Sequence, residues 1–159
     1  MLIDLTIPWI VILDILGWLI IHMGVAYLMT QLPDSIFEPE RWLFKRREWE
    51  GDGYIYQNLF RVKRWKESLP DGAALFRKGF KKKRLFKKDR IYFEKFVRET
   101  CRGELTHWVV FSCSPIFFIW NYWWVGIIMI MYAMVANFPC IITQRYNRIR
   151  FFQLIKKHQ

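Results

Sequence analysis

Two residues in this chain have the types and spacing for proton chemistry. Glu104 and His107 lie three apart within Glu99-Thr-Cys-Arg-Gly-Glu-Leu-Thr-His-Trp108. On a helix that spacing puts both side chains on one face, about one turn apart. They fall where a basic, polar stretch becomes an apolar run, at the depth where headgroups give way to hydrocarbon. A histidine backed by a carboxylate is a general base: the acid fixes the imidazole tautomer and stabilises the imidazolium. Ser112 and Ser114 lie deeper and have no supporting base. The expected chemistry is therefore direct transfer, with His107 activating an acceptor hydroxyl and Glu104 orienting it. The structural alternative is an interfacial pair that snorkels and caps the helix start.

The elements that must position this pair are membrane helices. The chain has 159 residues, 53% hydrophobic and 19% aromatic, with a net charge of +11. So small a soluble domain has too little interior to hide that much apolar surface. Apolar and charged residues come in separate blocks, which is the pattern of an all-α integral membrane protein with basic water-facing segments. Residues 7–29 form a first span, long enough to cross with some tilt. It has no basic region before it and no small-residue cleavage site after it, so a removed leader is not expected. Asp14 and His22 interrupt this run, and Gly17 and Gly24 share a face that could admit a neighbouring helix. Residues 105–120 and 123–142 form a short helical hairpin about a turn at Asn121. The shortness of the second span, 105–120, leaves a rival, a re-entrant hairpin over 105–142 in the inner leaflet.

Between the spans, Leu32-Pro33-Asp34 stops the first helix. Residues 36–47 read as a short interfacial helix and 54–69 as a second amphipathic segment, with a turn at Gly51-Asp-Gly53. Residues 77–88 are polybasic, a surface for headgroups or for the phosphates of an acyl carrier. Residues 89–103 read as an amphipathic helix running into the opening motif. All 25 Lys and Arg fall in the loop 31–103 or the tail 144–159. The positive-inside rule then puts both in the cytoplasm and the N-terminus outside, as a single domain over 1–159 in the cell membrane. Nucleic acid is not an expected partner, because no recognition motif accompanies the charge. Three cysteines, Cys101, Cys113 and Cys140, show no metal-binding spacing and read as reduced. Arg102 beside Cys101 is expected to lower that thiol's pKa.

Counting from Asn121 brings the return helix level with His107 near residue 135, two residues from Asn137, or about 3 Å. The expected cluster adds Arg102, Gln144, Arg145, Tyr146, Asn147 and Arg148 as substrate-binding groups, with Trp108 beside them. Asn137 or an arginine stabilises the oxyanion. No metal is expected.

At this point the sequence resembles a known family. Glu99-Thr-x-Arg-x-Glu-Leu-x-His-Trp108, Tyr132-Ala-Met-x-Ala-Asn-x-Pro139 and Gln144-Arg-Tyr-Asn-Arg148 look like the glycosyl-4,4'-diaponeurosporenoate acyltransferases of staphyloxanthin-type carotenoid biosynthesis. Leu32-Pro-Asp34 and Trp65-Lys66 with Pro70-Asp-Gly72 also match, while Gly103 and Ile149 depart from the pattern. The resemblance implies a bacterial membrane enzyme that esterifies the primary hydroxyl of a sugar on a C30 carotenoid acid with a fatty acyl group. It needs no cofactor beyond a co-substrate, acyl-CoA or acyl-carrier protein. Two other readings remain open: a transferase acting on a different glycolipid, and a non-catalytic membrane adaptor that works through its basic loop.

Overall fold

A computed structural model describes Ile3, residues 5–69 and residues 90–157. The expected polybasic surface, 77–88, lies outside the described residues. The described residues contain helices, 3-10 turns and loops, with no strand. The first helix, α1, runs Ile7–Gln31 and stops where Leu32 turns extended before Pro33. Its buried residues are only Trp18, Val25 and Met29, one narrow stripe, while Ile7, Trp9, Ile15, Leu19, Ile20 and Leu28 stand exposed. Among the described residues two helices are long and apolar enough to cross a membrane, α1 and the last helix, and only 17% and 22% of their apolar windows are buried. The core helix of a soluble protein has the opposite distribution, so this surface matches hydrocarbon rather than water.

The other long elements are α4, Arg90–Ser112, and α5, Trp123–Lys157; the short α2, Tyr54–Phe60, and α3, Val62–Trp65, lie between α1 and α4. The sequence pattern divides 89–120 into an amphipathic helix and a span. Instead α4 runs unbroken through Gly103. The reason is a continuous buried stripe, Phe93, Phe96, Val97, Thr100, Cys101 and Glu104, that packs along α5. Beyond Ser112 the expected second span is not α-helical: Ser114–Ile119 winds as a 3-10 helix from Pro115 to the turn at Asn121. The third expected span does not end at Ile142 either. Helix α5 continues through what was expected to be a tail, because Tyr146, Ile149 and Phe151 are buried in contacts with neighbouring elements. Phe151 stacks on Phe96 at 3.9 Å between ring centroids.

The hairpin tip is pinned to α1. Asp14 accepts hydrogen bonds from Trp120 Nε1 at 2.9 Å and Asn121 Nδ2 at 2.7 Å. Where water is absent, such donors must find an acceptor within the protein. One turn further along, a Cβ on Gly17 would meet the Phe117 ring at 3.2 Å, so this glycine does admit its neighbour closely. Gly24 has nothing within 4 Å and admits none.

The connecting segment also differs from expectation at two places. Residues 36–47 do not form a helix. Asp34–Phe37 is one 3-10 turn and Glu48–Glu50 another, with irregular chain between. Arg145 takes the carbonyls of Leu43 and Lys45, both at 3.3 Å, as acceptors. Between 54 and 69 the helix breaks at Arg61, which has φ 49°. Tyr56 and Val62 pack in one cluster with Tyr146 and Ile149. Six residues of unbroken helix would turn them about 240° apart. The left-handed break brings them back to the same side.

Replacing Asp14 with Ala strands the Trp120 and Asn121 donors, which costs about 1–3 kcal/mol. The expected outcome is a lower thermal midpoint for the protein in lipid nanodiscs, with ester formation per folded molecule unchanged.

Candidate active site

His107 sits on α4, half-buried, facing α5. Its Nδ1 lies 2.9 Å from Oδ1 of Asn137, two residues from the level that turn counting gives. The orientation of the amide follows from its other end: Nδ2 of Asn137 donates to the Ala133 carbonyl at 2.9 Å. With the nitrogen committed there, Oδ1 faces the imidazole and must accept. Nδ1 then carries a proton directed at Oδ1. Asn137 is buried, so the tautomer is held in an environment that excludes competing water. This corrects two expectations at once. The group that orients His107 is Asn137, and Asn137 has its nitrogen bound to backbone rather than aimed at an oxyanion.

Glu104, expected to orient the histidine, is held elsewhere. Its Oε1 accepts from Arg145 Nη1 at 2.7 Å, and its Oε2 pairs with Arg148 Nη2. Arg145 also grips Glu50 in a two-point fork, Nε to Oε1 at 2.8 Å and Nη2 to Oε2 at 2.9 Å. Tyr56 donates its hydroxyl to Glu50, and the backbone N–H of Arg47 reaches the other oxygen at 2.5 Å. Arg148 completes the chain with Cys101 Sγ at 3.5 Å and lies over the Phe44 ring at 5.8 Å. Two carboxylates and two guanidiniums thus cancel in charge, with Glu50, Glu104 and Arg148 buried. Burial alone makes such a set costly, and only saturation of both partners by hydrogen bonds stabilises it.

Several residues expected to bind substrate have partners within the protein. Arg145 and Arg148 are committed to this network. Tyr146 is a core residue under Lys66, whose Nζ lies 5.5 Å from its ring centroid. Asn147 accepts from Lys66 Nζ at 3.3 Å. Arg102 pairs with Asp34 at 2.5 Å and lies over Phe37 at 4.6 Å, fastening the 34–37 turn to α4. Gln144 stands half-buried on α5, two turns on from Asn137. Trp108 stays beside His107, edge-on to Phe138 at 5.7 Å and to Phe111 at 6.3 Å. These rings make an apolar wall next to the imidazole. A separate cleft of about 400 Å³, lined by Ile36, Arg41, Trp42, Leu43, Phe44 and Leu105, opens elsewhere. Leu105 is about 200° around α4 from His107, so this cleft does not lead to the imidazole.

The titration behaviour follows the same contacts. Burial pushes the Cys101 thiol up to about 11, outweighing the nearby Arg148. The expected activation of this cysteine is thereby reversed. Burial raises the Glu50 pKa, but the Arg145 hydrogen bonds, the Arg47 N–H and the Tyr56 hydroxyl together hold it below the usual carboxylate value.

A sequence profile described as glycosyl-4,4'-diaponeurosporenoate acyltransferase matches residues 39–157. The chain belongs to the glycosyl-4,4'-diaponeurosporenoate acyltransferase family. A protein of that name from Staphylococcus aureus strain bovine RF122 / ET3-1 is 39% identical over 145 residues, covering 87% of this chain and 84% of its own length. The relative from strain MRSA252 has the same identity and coverage, and that from strain N315 is 38% identical over 140 residues. No solved structure matches the chain.

The family profile spans the residues of the network and the His107–Asn137 pair, and it begins after α1. Within this acyltransferase the residue that sequence reasoning overlooked is Glu50. Its signal was a carboxylate closing a basic, aromatic segment just before the Gly51-Asp-Gly53 turn, in register with nothing nearby. Asp34 was read only as part of a helix stop.

Arg145→Gln leaves buried carboxylates short of a cation and is expected to cost about 3–5 kcal/mol, read as a lower melting temperature in nanodiscs. The Glu50 contribution has a defined sign. Its folded pKa is lowered, so the stabilisation is fully present above the unfolded carboxylate value of about 4.3 and is lost as pH falls through the folded value. Stability should hold from about pH 7 to about pH 5 and decline at lower pH. Glu50→Gln should flatten that part of the acid decline.

Proposed function

We propose that this acyltransferase esterifies the primary hydroxyl of a sugar on a glycosylated carotenoid acid with a fatty acyl group, using His107 as general base. The observation that carries this reading is the His107–Asn137 pair, whose amide is locked by the Ala133 carbonyl so that its oxygen faces Nδ1 of the imidazole. Nε2 takes the proton of the sugar hydroxyl. The oxygen attacks the thioester carbonyl of the donor, acyl-CoA or acyl-carrier protein. The carbon–sulfur bond breaks, and the leaving thiolate recovers the proton from the imidazolium. Asn137 is a positioning residue that holds the tautomer. Glu104 positions α4 through the two arginines.

The site suits an amphiphilic acceptor. The Trp108, Phe111 and Phe138 rings offer an apolar wall to a polyene or acyl chain, while the charged network lies toward the polar end of the hairpin. The relatives' names specify a glycosylated carotenoid acid as the acceptor. The proposed topology has α1 and α5 crossing from outside to inside, α4 rising between them, and all cations in the cytoplasm. The site then lies about one and a half turns of α5 from the polar end of its apolar segment, near the inner headgroups.

Incubating purified variants with glycosylated acceptor and labelled acyl donor checks the mechanism. His107→Ala is expected to lower kcat by about 100-fold or more. Asn137→Ala should lower kcat less, leave the KM for acceptor unchanged and alter the pH–rate profile, because the tautomer is no longer fixed. Undiminished turnover by His107→Ala rejects the mechanism.

A further inference from the structure

A second cluster of cations stands further along α5, and the proposed reaction leaves it without a role. Lys66, at the end of α3, is half-buried against α5, its Nζ 3.3 Å from Asn147 Oδ1 and 5.5 Å from the centre of the Tyr146 ring. Neither neighbour carries a charge. Lys66 also feels two further cations, Lys63 and Arg150, with Glu67 the single acid acting on it. Burial holds its pKa below the usual lysine value, with Glu67 opposing the shift and Lys63 and Arg150 adding to it. Among the described residues Lys63, Lys66 and Arg150 make no ion pair, in contrast to Arg98, Arg102, Arg145 and Arg148 on the two long helices α4 and α5. Arg150 instead donates to Gln153 Oε1 at 3.0 Å. The same Arg150 borders a recess of about 380 Å³ that Lys156 and Lys157 also line. Cations gathered around a half-buried ammonium repel one another and await an anion.

The position of the cluster limits which anion it can meet. The apolar part of α5 ends at Ile142, and Arg150 lies eight residues beyond it, about 12 Å along the axis. The headgroup layer of a leaflet is about 5–8 Å deep. Arg150 therefore projects past the lipid phosphates into water, with Asn147 and Lys66 at the outer edge of that layer. In the other direction Arg150 is thirteen residues from Asn137, or about 20 Å. That distance matches the reach of an extended pantetheine arm between its phosphate end and its thioester.

We infer that Lys63, Lys66 and Arg150 form the seat for the phosphates of a coenzyme A thioester, whose arm runs along α5 and delivers the acyl carbonyl to His107. The inference rests on the acyl-transfer reading above and adds the class of donor and the residues that select it. Several phosphates on a soluble nucleotide match a cluster of several cations extended by the Lys156 and Lys157 recess.

The test uses the full-length protein in nanodiscs of phosphatidylcholine, with free coenzyme A as the binding probe and acyl-CoA or acyl-carrier protein as donor. Lys66→Gln and Arg150→Gln are each expected to weaken coenzyme A binding and to raise the KM for acyl-CoA by about tenfold, with kcat little changed. Arg150 is exposed, so its replacement leaves the packing intact. His107→Ala should bind coenzyme A as the parent does while losing turnover. The seat is overturned if both glutamine variants keep the parent's affinity for coenzyme A, if acyl-carrier protein alone serves as donor, or if the variants change only binding to anionic vesicles. The two readings separate cleanly. Transfer that depends on His107 but ignores Lys66 and Arg150 removes the seat and leaves the mechanism. Coenzyme A binding that depends on them, without any His107-dependent transfer, does the reverse.

Discussion

Everything near His107 depends on one buried carboxylate shared by two guanidiniums. Glu104 joins Arg145 and Arg148 from the facing helix, and Arg145 carries the link on to Glu50 in the connecting segment. An isolated charge at that depth is prohibitively costly, so the set is stable only when complete. Completion requires α4 and α5 to be in one register and residues 43–50 to be folded down over them. That register also sets His107 against Asn137. The ion network and the proton-transfer pair are therefore two results of a single helix–helix alignment.

The division of labour between these residues is chemical. Both oxygens of Glu104 are engaged by arginines, which leaves a carboxylate poorly suited to polarise an imidazole. An amide can do the same orienting task without adding charge, provided its own rotation is blocked. Asn137 meets that condition because its nitrogen is bound to the carbonyl one turn back on the same helix. A neutral orienter also spares a low-dielectric site a third negative group.

The sequence carried the coarse architecture in its hydropathy blocks: α1, the turn at Asn121 and the meeting of residues 107 and 137 all follow from helical rise and the position of turn residues. The long-range pairings were less legible. Glu104 and His107 share a helix face, and spacing alone favours pairing them. Two arginines on α5 compete for the same carboxylate and win through charge, but only the fold shows that they reach it. Glu50 is invisible to periodicity because its partners lie 95 residues away, on α5. The extent of α4 and α5 was underestimated for a related reason. Polar residues at 99–104 and 144–148 look like helix ends when read singly and become a helix interface once they neutralise each other. The break at Arg61 came from a packing demand, two aromatic and aliphatic side chains needing one pocket, that no local preference announces.

The winding of Ser114–Ile119 has its own effect on the surroundings. On the proposed topology the apolar end of α4 contributes about 12 Å of α-helix and the six 3-10 residues about another 12 Å. The sum is less than the roughly 30 Å of hydrocarbon in an ordinary bilayer, whereas α1 and α5 match or exceed it. Lipids bordering this short side must thin or splay to cover it. Loosened chains yield to a large apolar solute more readily than well-ordered bilayer does, so on this topology hydrophobic mismatch makes this the flank that lipid-soluble molecules approach most easily.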